Sequence, residues 1–313
     1  MNKPGSNWTV MQERGHYWPM KLVYWLYRLG GRWLLYPIVI LTVLYFFATR
    51  RTTRRASALY LARVMGHKPS RWQVWRHHLA FGLALLDRIA AWMDRIKRTD
   101  VYFPGHQLML ELQEQKRGAI LLGAHFGNLE MCRAVVENDA SLKLNVILHT
   151  ANTQNFDRLL RSVNERTDVR LIQVTDVSPA TAMLLKEKLD QGEFVILLAD
   201  RLPPVPGARS MTAPLLGDNA EFPAGPFWLA LMLGAPVYFM AGFTTDDGYQ
   251  AVMELLHEGG RVPRRERDAA SKALLDNYIA RLEYHCRRHP YQWFNFFDFW
   301  GDDSAPDNKS SEE

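Results

Sequence analysis

From residue 118 onward, short strand-like stretches alternate with longer helical stretches, and the first of them contains a continuous apolar run at residues 119–122. Continuous apolar runs predict strands covered on both faces, as in parallel sheets. The strand candidates are residues 118–124, 143–149, 169–174, 194–199 and 236–242. Helical patterns lie near residues 129–138, 155–165, 179–191, 224–233 and 266–288. This alternation predicts an α/β fold with a mixed, mostly parallel sheet flanked by helices.

The front of the chain has a different pattern. Residues 53–97 predict two helices broken near "GHKPS", and before them residues 33–48 form a run of 16 residues without a charge. As a helix this run is about 24 Å long, whereas a hydrocarbon core is about 30 Å thick. We therefore expect a membrane-associated helix that lies in or dips into the interface, with Pro37 bending it. The alternative is a buried core helix.

Charge is distributed unevenly along the chain. The first 76 residues hold 13 Lys and Arg against the single Glu13 and carry +12; since the whole chain carries +5, the remainder carries −7. A basic, aromatic-rich segment beside an apolar run favours an anionic lipid surface as its partner. No nucleic-acid reading motif is present, so no nucleic-acid partner is expected.

Length and composition predict one large folded unit. With 313 residues, of which 48% are hydrophobic, the chain can bury a sizeable core. We expect a basic anchoring segment at residues 1–52, one domain at 53–300 and a disordered tail at 301–313. Cys132 and Cys286 are the two cysteines, which suggests no disulfide framework and a reducing compartment.

The first candidate site follows the strand in "GAILLGAHFGNLEMC". His125 lies at the end of this strand, and Glu130 follows five positions later. A carboxylate can orient an imidazole and stabilise its cationic form, so the pair is typical of a general base. Gly127 and Asn128 supply a turn, a helix N-cap and backbone N–H groups for an oxyanion, and the small Gly127 leaves room for a substrate. The alternative is a structural histidine.

The segment "FVILLADR" places Asp200 and Arg201 at the end of a second strand. The alternative interpretation of these two residues is a surface ion pair. The following "RLPPVPGARS" predicts a mobile loop over the site, in which Arg201 and Arg209 can face phosphate or carboxylate.

Two further groups of residues are candidates for substrate contact. Polar residues recur along one predicted helix, where a solvated face is the alternative: Asn155, Arg158, Arg161 and Asn164. Phe222 and Pro223 lead into the helix predicted near 224–233, where proline is also simply favourable for starting a helix.

Other chemistries lack their motifs. The chain has no G-x-S-x-G elbow, Walker loop, H-E-x-x-H or helix-opening G-x-G-x-x-G. His106, His125 and His149 are too scattered along the chain to predict a zinc site. We therefore expect neither a metal nor a cofactor.

Four ordered motifs, "GAHFGNLE", "FVILLADR", "EFPAGPFWLA" and "QWFNFFDFW", resemble the lysophospholipid acyltransferase-like superfamily, and within it the bacterial lipid A late acyltransferases. The resemblance covers roughly residues 15–300. It implies a protein at the cytoplasmic face of the inner membrane that moves a fatty acyl group from acyl carrier protein to a hydroxyl of a lipid. It places the family's H-x(4)-D/E dyad on His125 and Glu130, and its strand-end aspartate on Asp200.

The chain departs from its relatives at two motifs. Glycerol-phosphate acyltransferases carry F-P-E-G-T-R, whereas Phe222-Pro223 is followed here by Ala-Gly-Pro. Lipid A enzymes end near Q-x-x-W-x-H-R-R, whereas the ending here resembles relatives associated with other envelope lipids, such as aryl polyene-type glycolipids. The resemblance thus implies an acyltransferase acting on an envelope lipid or glycolipid. The alternative is a catalytically inactive lipid-binding or scaffold protein at the membrane surface.

Overall fold

The computed structural model describes residues 17–93, 95–128, 131, 142–149, 169–174, 179–203 and 207–301. Its helices are α1 (Tyr17–Thr49), α2 (Arg51–Met65), α3 (Arg71–Trp92), α4 (His106–Glu114), α5 (Pro179–Asp190), α6 (Ala224–Leu233) and α7 (Arg267–Arg288). Its strands are β1 (Val101–Tyr102), β2 (Ile120–Gly123), β3 (Leu144–His149), β4 (Val169–Val174), β5 (Phe194–Leu198), β6 (Ser210–Leu215), β7 (Asp218–Pro223), β8 (Val237–Thr245) and β9 (Gly248–His257).

Seven strands form one sheet in the order β1-β9-β8-β2-β5-β3-β4. The five strands from β8 to β4 are parallel to one another. Strand β9 runs antiparallel to β8, and β1 pairs in parallel with β9. The structure therefore confirms the prediction of a mixed, mostly parallel sheet.

The continuous apolar run in β2 reflects burial on both faces of the sheet. Ile120 and Leu122 belong to a core that also includes residues of α2, α6 and α7. Leu121 belongs to the opposite core, together with residues of α3 and α4. All three side chains are fully buried. Helices thus cover the central strand from both sides, which leaves its end as the place where polar side chains can gather.

Two hairpins were missing from the sequence prediction. Strands β6 and β7 form an antiparallel pair whose turn, Leu216-Gly217, has positive φ at both residues. The sequence analysis predicted no strand between residues 199 and 236, whereas a hairpin directly precedes α6. The second hairpin joins β8 to β9 and turns just before Gly248, which has φ 133°.

Helix α1 is interrupted at Gly31, whose φ of 60° and ψ of −154° are not helical. The break lies six residues before Pro37, at the residue type that adopts positive φ most readily, and Pro37 lies inside the helical stretch that follows, so the expected bend at Pro37 stays a prediction. Within the described part of the chain, one helical stretch, Trp25–Thr49, is long and apolar enough to cross a membrane by length and composition.

Helix α1 packs on α3 along one side only. Leu35 is buried, whereas Trp33, Leu41 and Tyr45 are 89%, 66% and 64% exposed. A helix with its large apolar side chains exposed does not match a buried core helix, and it leaves an apolar face for another apolar medium. These exposures support the interpretation of this region as membrane-associated.

Candidate functional site

His125 lies two residues beyond the end of β2, and Asp200 lies two residues beyond the end of β5. The two strands are parallel neighbours, and their register places Gly123 opposite Leu198. Continuing this register by two residues brings His125 beside Asp200. The site therefore forms where the carboxyl ends of two central strands meet, as in other open α/β sheets.

Asp200 is fully buried and accepts three hydrogen bonds. Its Oδ1 lies 2.9 Å from His125 Nδ1, and its Oδ2 accepts from the His125 backbone N–H at 2.9 Å and from the Trp293 indole N–H at 3.2 Å. An ionised carboxylate only accepts hydrogen bonds, so Nδ1 of the ring carries a proton. In the neutral ring, Nε2 is then the nitrogen that can take up a proton.

The same contacts determine the charge of Asp200. Burial by itself raises the pKa of this carboxyl, but the charge and hydrogen bonds of His125, with the charge of Arg201, hold the pKa well below its usual range. The carboxylate is therefore ionised at neutral pH. A buried negative charge beside an imidazole stabilises the imidazolium that forms when the ring accepts a proton.

Trp293 reaches the site from the segment that follows α7, and sequence reasoning did not assign it to the site. Its backbone forms an antiparallel bridge with Phe126, and the N–H of the next residue, Phe294, donates to the His125 carbonyl at 2.9 Å. The side chain of Gln292 both donates to and accepts from the backbone of Thr244. The signal of this segment in the sequence is its aromatic run, which does not indicate the strand end that the segment contacts.

The close approach of two backbone segments explains Gly127. It has φ 59°, and a Cβ atom built there would lie 1.8 Å from the carbonyl oxygen of Gly242. The Gly127 N–H donates to the Gln292 carbonyl, and the Asn128 N–H donates to the Gly242 carbonyl. Both N–H groups are therefore occupied, which contradicts the expectation that they serve as oxyanion donors. The absence of a side chain at Gly127 makes room for backbone rather than for a substrate.

Several predicted site residues lie outside the described residues: Glu130, Asn155, Arg158, Arg161 and Asn164. Glu130 was expected to hold the imidazole of His125. In the structure the Nδ1 atom of that ring is bound by Asp200, so the orienting carboxylate comes from the neighbouring strand. Roles for the other four residues remain predictions.

The remaining predicted residues have structural contacts of their own. Arg201 donates to the Phe294 carbonyl at 2.6 Å and lies over the Phe297 ring. Phe222 is fully buried against Phe299, and Pro223 is the residue that precedes α6. Their predicted contact with substrate stays a prediction. The surface ion pair considered for Asp200 and Arg201 does not describe Asp200, which is buried against His125.

The arrangement is suited to proton transfer. The His125 side chain is 36% exposed, whereas its carboxylate partner is inaccessible to solvent. A substrate can therefore reach the His125 ring, while the Asp200 carboxylate stays shielded from water. This shielding strengthens the electrostatic interaction between the carboxylate and the ring. Within the described ranges, no group of three or more His, Cys, Asp or Glu side chains could hold a metal ion.

A comparison with known families finds a match over most of the chain. The sequence model described as bacterial lipid A biosynthesis acyltransferase matches residues 18–300. This range includes the sheet, His125, Asp200 and the segment that carries Trp293. A comparison with curated proteins finds no match.

Proposed function

Because the chain belongs to the bacterial lipid A biosynthesis acyltransferase family, we propose that it transfers a fatty acyl group from acyl carrier protein to a hydroxyl of an envelope lipid or glycolipid. The observation that carries this proposal is the hydrogen bond between His125 Nδ1 and the buried carboxylate of Asp200. It holds the ring in the tautomer that a general base requires. Glu130 remains a predicted second carboxylate of the site.

In the proposed reaction His125 Nε2 takes the proton of the acceptor hydroxyl. The hydroxyl oxygen attacks the thioester carbonyl, so a C–O bond forms and the carbonyl oxygen becomes an oxyanion. Collapse of this intermediate breaks the C–S bond, and the leaving thiolate takes the proton from the imidazolium. The ring returns to its neutral form, and an ester and a thiol are the products. Asp200 stays ionised and stabilises the cation between the two proton transfers.

The charge distribution supports an acidic carrier protein as donor. Opposite charges steer association, and salt screens that attraction. We expect the rate with acyl carrier protein, at low carrier concentration, to fall steeply with ionic strength, and the rate with a coenzyme A thioester to fall less. Identical salt profiles for the two donors would contradict carrier docking without contradicting acyl transfer.

The decisive experiment is acyl transfer by purified protein with and without His125. We expect His125→Ala to lower single-turnover transfer by about 10²–10⁴-fold, because the base is lost while the fold remains. His67→Ala is a matched control, since His67 is exposed in the connection between α2 and α3. A protein that binds lipid vesicles but transfers no acyl group would instead be a scaffold. Near wild-type transfer by folded His125→Ala would refute the mechanism.

The acceptor is identified by mass spectrometry of envelope lipids from cells with and without the gene. Loss of one acyl chain from lipid A would identify lipid A as the acceptor. Loss from another glycolipid would support the comparison with aryl polyene-type enzymes. Unchanged envelope lipids, together with an inactive purified protein, would contradict the proposed function.

The proposed location is the cytoplasmic face of the inner membrane, where acyl carrier protein is available.

A further inference from the structure

A buried histidine, His77 on α3, joins the helical front of the protein to the segment that carries Trp293. Its Nε2 lies 2.9 Å from the Trp293 carbonyl oxygen, and its Nδ1 lies 2.8 Å from the Ser57 hydroxyl on α2. A carbonyl oxygen only accepts, so Nε2 carries the proton and Nδ1 accepts from the hydroxyl. The two partners therefore determine a single neutral tautomer.

The surroundings of His77 are aromatic. The ring stacks on Phe296 with centroids 4.6 Å apart, and Tyr60 lies on another side at 5.4 Å. An apolar ring of similar size would pack there without the cost of desolvating two nitrogens. What the imidazole adds is its pair of hydrogen bonds, so the interaction with the Trp293 carbonyl is its distinguishing contribution.

The carbonyl that His77 binds belongs to the residue whose indole N–H holds Asp200. Four hydrogen bonds of 2.8–3.2 Å thus run from Ser57 through His77, Trp293 and Asp200 to the His125 ring. The backbone position of Trp293 decides where its indole N–H lies. A displacement of about 1 Å in such a supporting contact can lower a rate by about 10²-fold.

We propose that His77 is a positioning residue that holds the Asp200–His125 pair in place through Trp293. This inference rests on the proposed function, in which His125 is the general base. It also gives α2 and α3 a role in the site, because these helices hold the Asp200 carboxylate through Trp293.

Two amide substitutions test the proposal. The amide of Gln reaches about as far as Nε2 of His, so His77→Gln can still donate to the Trp293 carbonyl, whereas the shorter Asn reaches only the position of Nδ1. We expect His77→Gln to keep kcat within about threefold of wild type. His77→Asn should lower kcat by about tenfold or more with KM unchanged, because binding groups are untouched while the base is displaced.

His78 provides the matched control on the same helix. Its ring also contacts Phe296, but its Nδ1 binds the Val74 carbonyl within α3. His78→Asn should therefore leave kcat unchanged. Equal kcat values for His77→Gln and His77→Asn at equal melting temperature would overturn the proposal.

A second measurement does not depend on activity. The indole N–H resonance of Trp293, assigned by its loss in Trp293→Phe, should keep its position in His77→Gln and shift in His77→Asn. An unchanged resonance in both variants would overturn the proposal even if wild-type protein transferred no acyl group. An inactive wild type would overturn the proposed function, and the resonance alone would then decide the role of His77.

Discussion

At the residue scale, the buried carboxylate of Asp200 can be tested without changing its shape. In Asp200→Asn the amide oxygen can still accept from the His125 N–H and the Trp293 indole, but the amide NH₂ then faces Nδ1 of the ring. That nitrogen must become an acceptor, which moves the ring proton to Nε2 and removes the base. We expect single-turnover transfer to fall by about 100-fold or more.

The double variant His125→Ala, Asp200→Asn should be little worse than His125→Ala alone, because the two residues act as one unit. Asp276→Asn is the control, since Asp276 is an exposed carboxylate paired with Lys272 on α7. Additive losses in the double variant would show that Asp200 acts independently of His125.

Also at this scale, His77 makes stability depend on pH. Burial lowers the pKa of His77 from 6.5 to about 3, with the charge of His78 adding to the effect and the bond to the Trp293 carbonyl opposing it. Below pH 6.5 the imidazole of His77 is therefore protonated in the unfolded chain but stays neutral in the folded protein. Above pH 6.5 His77 is neutral in both states and does not lower the free energy of unfolding. As the pH falls from 6.5 towards 3, the free energy of unfolding decreases by about 1.4 kcal/mol per pH unit.

Between pH 7 and pH 5 this histidine alone should cost the folded protein about 2 kcal/mol. His77→Gln does not titrate and should lose less stability over the same interval. Denaturant unfolding in detergent at both pH values measures the difference, in which the contributions of other groups cancel. An equal loss in wild type and variant would show that His77 is not held neutral.

At the element scale, α1 and α3 approach each other at Gly82. A Cβ atom added there would lie 2.6 Å from a methyl group of Val43 and 2.9 Å from one of Val39. Valine side chains are stiff, so the helices must separate. We expect Gly82→Ala to destabilise the protein by about 1–3 kcal/mol despite the better helix propensity of alanine.

Gly225 in α6 is the control for this substitution, because a Cβ atom there meets nothing within 4 Å. Gly225→Ala should be neutral or stabilising. A salt bridge also ties the two helices, between Arg32 and the buried Asp87 at 3.4 Å. Unchanged unfolding of Gly82→Ala would mean that α1 does not pack on α3 as described.

At the scale of the whole molecule, the exposed apolar face of α1 and the basic residues around it should act together at a membrane. Apolar burial and attraction to anionic lipid add, at about 1 kcal/mol per Lys or Arg near the surface. We expect the triple variant Trp33→Ser, Leu41→Ser, Tyr45→Ser to bind anionic vesicles at least about tenfold more weakly.

Met183→Ser is the control for vesicle binding, because Met183 is a 74% exposed apolar side chain on α5, an element other than α1. Sedimentation with vesicles of anionic and of neutral lipid measures both contributions. If the triple variant bound as wild type does, α1 would not be the membrane-binding element. The placement of α1 in the membrane interface, rather than across the bilayer, remains a prediction.

The sequence alone determined the elements whose signal is local. Continuous apolar runs identified β2 and β5, because strands covered on both faces carry few polar residues. The alternation of short strand-like stretches with helical stretches identified β3, β4 and β8. Strand β9 was not predicted, because most of its residues are half-buried and it has no continuous apolar run. The hairpin before it carries the local signal Asp247-Gly248, which is typical of tight turns. Position at a strand end identified His125 and Asp200 as candidates on the same rim of the sheet.

Only the tertiary structure decided that Asp200, rather than Glu130, binds Nδ1 of the His125 ring. This contact depends on β2 and β5 being neighbours in the sheet, and strand order is not encoded in the local pattern of a strand. The same holds for Trp293, which lies 93 positions from Asp200 and reaches it because the end of the chain folds back over the sheet. Local periodicity predicts which residues are buried, whereas contacts between distant segments decide which buried residues meet.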